Sequence, residues 1–159
     1  MVKDDCQLLI MVKSVEHALC LQTMLPDYTA VFNPIDAARE KELRDHPYIT
    51  HNFDPHPNTE ELTAAFARGE LKKAISTGVW RQAVDFPRLP LLIRADGQCG
   101  PIASTQIPGR MSRLFEGKDE AILMDFMDFY GPDLVGRSTA RRNWYATMGW
   151  EILDFSLQA

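Results

Sequence analysis

Short apolar runs alternate along the chain with longer stretches of mixed polarity. The first run, Cys6-Gln7-Leu8-Leu9-Ile10-Met11-Val12, is typical of a strand that is buried on both faces of a parallel sheet. Further strands are predicted at residues 28–32, 72–77, 90–95 and 121–126, with a last edge strand at residues 150–153.

Helices are predicted between these strands from capping residues and helix breakers. Ser14 is a natural N-cap for a helix at residues 15–25, which Pro26 ends. Asn58 and Glu61 have capping-box spacing at the start of another helix, and Gly69 follows where a helix C-terminus favours glycine. The remaining segments are helices at residues 35–45 and 133–148, the latter capped by Gly149, a helical turn at 101–106 and a proline-rich loop at 46–57.

Strands that alternate with helices at this spacing predict an α/β domain with a mostly parallel central sheet flanked by helices. With 159 residues, the chain is expected to form one domain, residues 1–159, that buries a core without disulfides. Function in such sheets lies at the carboxyl ends of the strands. The polar residues that follow these predicted ends are Ser14, Thr77, Asp85, Arg110 and Arg113.

Composition narrows the class of protein. The hydrophobic content of 45% and charged content of 25% are those of a soluble globular domain. No apolar run reaches the roughly 18 residues of a membrane span, and the first residues do not resemble a signal peptide. We therefore expect a cytoplasmic protein without a membrane partner. Three cysteines without Cys-x-x-Cys spacing and four histidines without a ligand pattern predict free thiols and no metal site.

The net charge of −5 argues against a domain that grips nucleic acid by bulk charge alone, but it leaves room for a local basic track. Arg137, Arg141 and Arg142 lie in a stretch without acids. They either follow phosphates or form a solvated helix face. The tryptophans are predicted to pack rather than to stack on bases; they are Trp80, Trp144 and Trp150.

Two arginines three residues apart mark the strongest candidate site. Arg110 and Arg113 lie on one side of a turn or helix end, where both can point at a single anion. Because the guanidinium presents a planar fork of donors and stays charged, the pair suits a phosphate group. After the first strand, Ser14 either caps the helix or contacts a phosphate.

The order of these pieces resembles the C-terminal motor lobe of superfamily 2 helicases, the second of their two RecA-like domains. Lys13-Ser14-Val15-Glu16-His17 resembles motif IV of that family, and residues 66–71, 74–77 and 83–87 together resemble motif V. The stretch 106–113 resembles motif VI in the form Gln-x-x-Gly-Arg-x-x-Arg. Residues 141–150 are similar to the tail of compact phage-type or restriction-type helicases.

The resemblance implies a three-layer RecA-like domain that acts on ATP held by a first lobe. It implies that Arg110 and Arg113 reach the γ-phosphate, with Arg113 as the arginine finger, and that Gln106 orients this motif. Nucleotide contact is implied for Asp85 and Gly109. Contact with a DNA or RNA backbone is implied for Lys13, Ser14, Ser76, Thr77 and Gly78. Asp85 as a turn cap and Thr77 as an ordinary strand-end residue are the alternatives.

What the sequence lacks limits what this chain does alone. It contains neither a Gly-x-x-x-x-Gly-Lys-[Ser/Thr] phosphate loop nor an Asp-Glu-x-[His/Asp] motif after a strand. We therefore expect the isolated chain not to hydrolyse ATP. We expect the Mg²⁺ ligands to lie in an N-terminal lobe, which either belongs to the same protein or is the other half of a split motor. One alternative is a non-catalytic binding module with the same fold. A Rossmann-like domain is disfavoured because no Gly-x-Gly-x-x-Gly follows the first strand.

Overall fold

The computed structural model describes residues 6–80, 86, 88–99 and 120–155. The strands in these residues are β1 (Leu8–Val12), β2 (Thr29–Val31), β3 (Lys73–Ser76), β4 (Leu91–Ala95) and β5 (Ile122–Asp125). The α-helices are α1 (Val15–Met24), α2 (Ala37–Arg44), α3 (Thr59–Arg68) and α4 (Gly131–Thr147). One turn of 3₁₀ helix, Gly78–Trp80, follows β3.

The five strands form one sheet in the order β2-β3-β1-β4-β5, and every pair in it is parallel. The first strand of the chain therefore lies at the centre, between β3 and β4. Its burial on both faces explains why its sequence is an almost continuous apolar run. The predicted α/β fold with a mostly parallel sheet is confirmed.

Helices cover both faces of the sheet and create two apolar cores. Side chains of α1 and α2 pack on the face that carries Ile10 and Val12. On the opposite face, Phe66 of α3 packs with Leu9 and Met11. The arrangement has three layers, helix, sheet and helix, because successive side chains of a strand point to opposite faces.

Local sequence signals account for where the helices begin and end. The Ser14 hydroxyl accepts a hydrogen bond from the His17 amide at 3.2 Å, so Ser14 is the N-cap of α1 as predicted. At the start of α3, the Asn58 side chain accepts from the Glu61 amide, also at 3.2 Å. Gly69 ends that helix with a φ of +80°, a left-handed conformation that favours glycine.

The predicted edge strand at residues 150–153 is wrong, because the chain folds back onto α4 there instead of joining the sheet. Gly149 reverses the direction of the backbone at a φ of +75°, and the Trp150 amide donates to the Tyr145 carbonyl at 3.2 Å. The Trp150 ring then stacks on that of Tyr145, with 5.7 Å between their centroids. α4 also begins two residues earlier than predicted, since Pro132 is tolerated in its first turn.

Candidate functional site

Three loops that follow neighbouring strands meet at one edge of the sheet. Met11 of β1 is level with Ser76 of β3 and with Arg94 of β4, so the carboxyl ends of these strands lie side by side. This edge is where open α/β sheets bind their ligands. The segments that the described part of the chain brings together there are residues 13–14, 77–78 and 96–98.

Lys13 and Ser14, which follow β1, are both exposed at this edge. The Ser14 hydroxyl accepts the His17 amide, and its carbonyl accepts the Ala18 amide at 3.1 Å. Ser14 therefore caps α1, and contact of its side chain with a phosphate remains a prediction. Ser14 stays exposed although it caps the helix. Lys13, which is also exposed, places a positive charge in solvent beside the start of α1.

Ser76 and Thr77 lie deeper in the edge than Lys13. The Ser76 side chain is fully buried, and its hydroxyl donates to the Thr77 carbonyl at 3.0 Å. The Thr77 amide donates to the Val31 carbonyl at 3.1 Å, which ties the end of β3 to β2. Gly78, which is half-buried, then begins the 3₁₀ turn. Of these three residues, Gly78 is therefore the one most open to solvent.

An aromatic cluster anchors the 3₁₀ turn to α3. The rings of Trp80, Phe66 and Phe86 lie 4.8–5.0 Å apart between centroids, and the Trp80 indole N–H donates to the Thr63 hydroxyl at 2.6 Å. The prediction that Trp80 packs in the core is confirmed. The cluster fixes the path of the chain as it leaves Gly78 at the carboxyl edge.

Five predicted site residues lie outside the described residues. They are Asp85, Gln106, Gly109, Arg110 and Arg113. Their assignments therefore remain predictions from the sequence. The described residues that flank the arginine pair in the chain are Cys99, after β4, and Glu120, before β5.

Arg94 organises the turn after β4. Its side chain is fully buried, and its Nη2 donates to Asp96 Oδ1 and to the Gln98 carbonyl, both at 3.0 Å. Asp96 Oδ1 also accepts the Gln98 amide at 3.3 Å. The Arg94 guanidinium therefore holds the Gln98 carbonyl, and the Asp96 carboxylate holds the Gln98 amide.

Tyr145 of α4 joins this turn to β5. Its hydroxyl accepts from Arg94 Nη1 at 2.8 Å and donates to Asp125 Oδ2 at 2.7 Å. Burial raises the pKa of Tyr145 well above the ordinary value of a tyrosine, so the hydroxyl keeps its proton and can donate it. A neutral phenol thus bridges an arginine of one strand and a carboxylate of the next.

Arg141, one turn before Tyr145 on α4, completes the network. Its Nε and Nη2 donate to the two carboxylate oxygens of Asp125 at 2.8 and 3.0 Å, and Nη2 also donates to the Phe126 carbonyl at 3.0 Å. Burial acts to lower the pKa of Arg141, but Asp125 raises it above the ordinary value, so the guanidinium is charged. We call Arg94, Asp96, Asp125, Arg141 and Tyr145 the α4 network.

The three arginines of α4 therefore differ from one another. Arg137 is exposed. Arg142 pairs with Asp154 at 2.8 Å on the surface. Arg141 is buried, so for this residue neither a phosphate track nor a solvated face is correct.

The sequence contains a signal for the α4 network that is visible only in retrospect. Arg94 and Asp125 are single charges of opposite sign in two otherwise apolar strands, and charged residues are almost never buried without a partner. The register places them directly opposite each other on β4 and β5. The sequence alone does not show that these two residues are neighbours, because it does not give the register of β4 and β5.

Within the described part of the chain, no group of three or more histidines, cysteines or acids is arranged to hold a metal ion. Cys6, Cys20 and Cys99 are free thiols. None of the described helices is long and apolar enough to cross a membrane.

The fold is similar to that of solved helicase domains. The C-terminal domain of S. cerevisiae Dbp5, in a variant bound to Gle1 and IP6, superimposes with a TM-score of 0.57 at 15% identity, over 88% of this chain and 70% of that one. A Dbp5 structure with RNA and ADP BeF3 gives a TM-score of 0.45 at 16% identity, over 90% of this chain and 40% of that one. The Pyrococcus furiosus Hef helicase domain gives 0.47 at 16% identity, over 92% of this chain and 25% of that one.

No protein-family model and no curated protein sequence matches the chain. The resemblance recognised from motifs IV to VI and the superposition on Dbp5 agree on one fold. The chain has the fold of the C-terminal, second RecA-like lobe of superfamily 2 helicases.

Proposed function

We propose that this chain is the C-terminal motor domain of an ATP-dependent DNA or RNA helicase or translocase of superfamily 2. One observation carries the proposal: the stretch that resembles motif IV follows β1, the stretch that resembles motif V contains β3 and its carboxyl end, and these two strands are neighbours in a sheet of the same fold as the Dbp5 C-terminal domain. Residues far apart in sequence are thereby collected at the edge where such sheets bind ligands.

In this proposal, Arg110 and Arg113 reach across to the γ-phosphate of ATP bound with Mg²⁺ by a first lobe. A guanidinium placed there stabilises the negative charge that spreads over the transferring phosphoryl group, which is worth roughly 10³ to 10⁵ in rate. Gln106 orients this motif, and Asp85 and Gly109 contact the nucleotide. The chain supplies no phosphate cradle, so its arginines act only together with the first lobe.

The nucleic-acid backbone would lie along the ends of β1 and β3. Lys13 and Ser14 are exposed there, and Gly78 allows a close approach of its backbone because it carries no side chain. Ser76 is buried, so it would contribute indirectly, by donating a hydrogen bond to the Thr77 carbonyl and fixing the end of β3. Since these contacts involve phosphates rather than base edges, binding would be largely independent of sequence and would weaken as salt rises.

The experiment uses the protein that contains both this chain and its first lobe. Arg113→Ala should reduce nucleic-acid-stimulated ATP hydrolysis by about 10³-fold or more, because the arginine acts on the transition state. Binding of a labelled single-stranded oligonucleotide, measured by fluorescence anisotropy with DNA and with RNA, should remain near normal. The matched control is Arg44→Ala, an exposed arginine of α2, which should leave both measurements unchanged.

Unchanged turnover of Arg113→Ala would remove the arginine-finger assignment. An upstream sequence without a phosphate loop, together with intact oligonucleotide binding, would instead favour a non-catalytic nucleic-acid-binding module. Loss of both hydrolysis and oligonucleotide binding in Arg44→Ala would show that the chosen measurements report folding rather than the site.

A further inference from the structure

Trp80 closes the 3₁₀ turn that follows β3, and its side chain is buried. Its ring packs against those of Phe66 and Phe86, at 4.9 and 5.0 Å between centroids. A phenylalanine would serve this apolar packing as well, but an indole also carries an N–H that needs an acceptor once it is buried. That acceptor is the hydroxyl of Thr63 on α3, at 2.6 Å.

Thr63 is itself held in place. A hydroxyl has one hydrogen, and that of Thr63 is donated to the Thr59 carbonyl one turn earlier, also at 2.6 Å. Its lone pairs are thereby left for the indole of Trp80. The Thr59 hydroxyl in turn donates to the carbonyl of Phe32, directly after β2, at 3.1 Å. The anchor of Trp80 is therefore tied to the sheet through two hydroxyl groups.

Gly78 lies between two anchors of this kind. Before it, the Thr77 amide donates to the Val31 carbonyl of β2 at 3.1 Å. After it, the Trp80 indole is bonded to Thr63. Apolar packing has no direction, whereas each hydrogen bond fixes one particular pair of atoms. The two bonds therefore fix the backbone of Gly78 from both sides along the chain.

Gly78 is level with Lys13 at the carboxyl edge of the sheet. Met11 of β1 is in register with Ser76 of β3, and Lys13 and Gly78 each lie two positions beyond that pair. A nucleic-acid backbone that meets the charge of Lys13 would therefore also pass the neutral backbone of Gly78. A backbone that is already fixed does not have to be ordered on binding, which favours affinity.

We propose that Trp80 and Thr63 are positioning residues for the nucleic-acid contact of Gly78, and that their hydrogen bond holds the backbone of residues 77–79 in the form that a phosphate meets. Trp80 is buried and Thr63 lies on α3, so both act through the backbone of the turn. This inference rests on the proposed motor function, in which the ends of β1 and β3 contact the nucleic-acid backbone. Its structural part concerns the turn alone.

The first experiment measures amide hydrogen exchange of the chain carrying Thr63→Val, which removes the hydroxyl and keeps the β-branched shape. Peptides that cover residues 77–80 should exchange about tenfold faster, because the bond that anchors the turn is lost. Amides of β4 should exchange as before. The matched control is Thr147→Val, since the Thr147 hydroxyl also donates to a carbonyl one turn earlier, on an exposed part of α4, and it should change nothing at residues 77–80.

Trp80→Phe removes the same hydrogen bond from its other side, so it is the second variant and completes a double-mutant cycle. The double variant should accelerate residues 77–80 no more than Trp80→Phe alone, since both changes break one bond. The structural part is overturned if Thr63→Val and Trp80→Phe leave these peptides unchanged. It is equally overturned if the amides of β4 accelerate to the same extent, since the bond would then only support the fold.

The second experiment uses the protein with its first lobe and a labelled single-stranded oligonucleotide, whose affinity is measured by fluorescence anisotropy at several salt concentrations. Thr63→Val should weaken binding about fivefold at every salt concentration, since the backbone of Gly78 is neutral and its contact releases no counterion. Lys13→Gln should instead make the salt dependence shallower, by about 0.7 in the slope of log K against log salt. Thr63→Ser keeps the hydroxyl and should bind like the wild type.

Normal affinity of Thr63→Val beside weakened binding of Lys13→Gln would show that the positioning role is wrong, while the proposed contact of this edge with nucleic acid stands. A change of slope in Thr63→Val would also overturn the role, because the variant would then disturb a cationic contact. If neither variant affected binding, the inference would fail together with that part of the proposed function. Loss of folded protein alone would lower the amount of oligonucleotide bound at saturation and leave the affinity unchanged, and that result would likewise contradict the positioning role.

Discussion

The two ends of the sheet are held together by different physics. Around β2, β3 and β1, both faces are covered by helices, and the buried side chains are almost all apolar. At the other end, α4 is fastened to β4 and β5 by the charged side chains and the tyrosine hydroxyl of the α4 network. That end also exposes large apolar side chains, including Phe126, Phe129 and Tyr130.

The contrast between the two ends shows that the interactions that stabilise the fold differ from those that position particular atoms. Apolar packing contributes roughly in proportion to the area removed from water and has no direction, so it stabilises the first end without specifying any one contact. Hydrogen-bonded charges contribute little net stability, but they specify which atoms meet. The apolar end should therefore dominate the free energy of unfolding, and the charged end should dominate the geometry of the turn after β4.

The largest effect on stability is expected from Phe66→Ala at the apolar end. Phe66 is fully buried against Trp80 and Phe86, so its removal leaves a cavity among aromatic rings and should cost about 3–5 kcal/mol. Urea unfolding followed by circular dichroism measures the change. Phe155→Ala, at an 87% exposed phenylalanine, is the matched control and should stay within about 0.5 kcal/mol of the wild type.

An intermediate effect is expected from Arg141→Met at the charged end. The change leaves the Asp125 carboxylate without its main partner and should cost about 3 kcal/mol. Adding Asp125→Leu should recover most of that loss, because the unpaired charge is removed. Arg142→Met is the control, since its pair with Asp154 is exposed, and it should not change stability measurably.

If the double variant Arg141→Met/Asp125→Leu were as unstable as Arg141→Met alone, the Arg141–Asp125 pair would itself stabilise the fold. That result would contradict the view that the pair mainly specifies which atoms meet. The same urea titrations decide the question. If Arg141→Met also cost more than Phe66→Ala, the contrast between the two ends of the sheet would be reversed.

The smallest effect is a pH dependence at the apolar end. His51 contacts the Thr23 hydroxyl at 2.8 Å and Gln22 Oε1 at 3.0 Å, and burial lowers its pKa below the ordinary value of 6.5. Below about pH 6.5 the unfolded state therefore binds more protons than the folded state, and stability falls as the pH falls. His51→Gln should show a shallower loss between pH 7.5 and pH 5, measured by thermal unfolding.

The matched control for that measurement is His56→Gln, at an exposed histidine, which should follow the wild-type pH dependence. A steeper loss of stability in His51→Gln than in the wild type would show that protonation of His51 stabilises the fold, contrary to the effect of its burial.

Local signals predicted most of the fold. The continuous apolar run of β1, the Ser14 and Asn58 caps and Gly69 act within a few residues of their own positions, and each works as expected. The strand prediction that failed, at residues 150–153, was overridden by contacts of this segment with the preceding helix. Residues 150–153 have the composition of a strand, yet Trp150 is drawn to the Tyr145 ring, and Asp154 pairs with Arg142. The pattern of apolar and polar residues does not show that these contacts with α4 compete with pairing in the sheet.

The candidate site divides in the same way. Its motifs resemble those of the helicase lobe only when they are taken together and in order, and the sheet order explains why the stretches at the ends of β1 and β3 are neighbours. The roles of Arg94 and Tyr145 could not be foreseen, because they are 51 residues apart in sequence and meet only through the packing of α4 on β4.

The sequence by itself determined the positions of the five strands of the sheet, where most helices begin and that the sheet would be mostly parallel, because these properties depend on spacing, caps and apolar periodicity. Only the tertiary structure decided that Arg94, Asp125, Arg141 and Tyr145 share one buried network. A hydrogen bond depends on distances of a few tenths of an ångström, and the register of β4 and β5 and the docking of α4 set those distances.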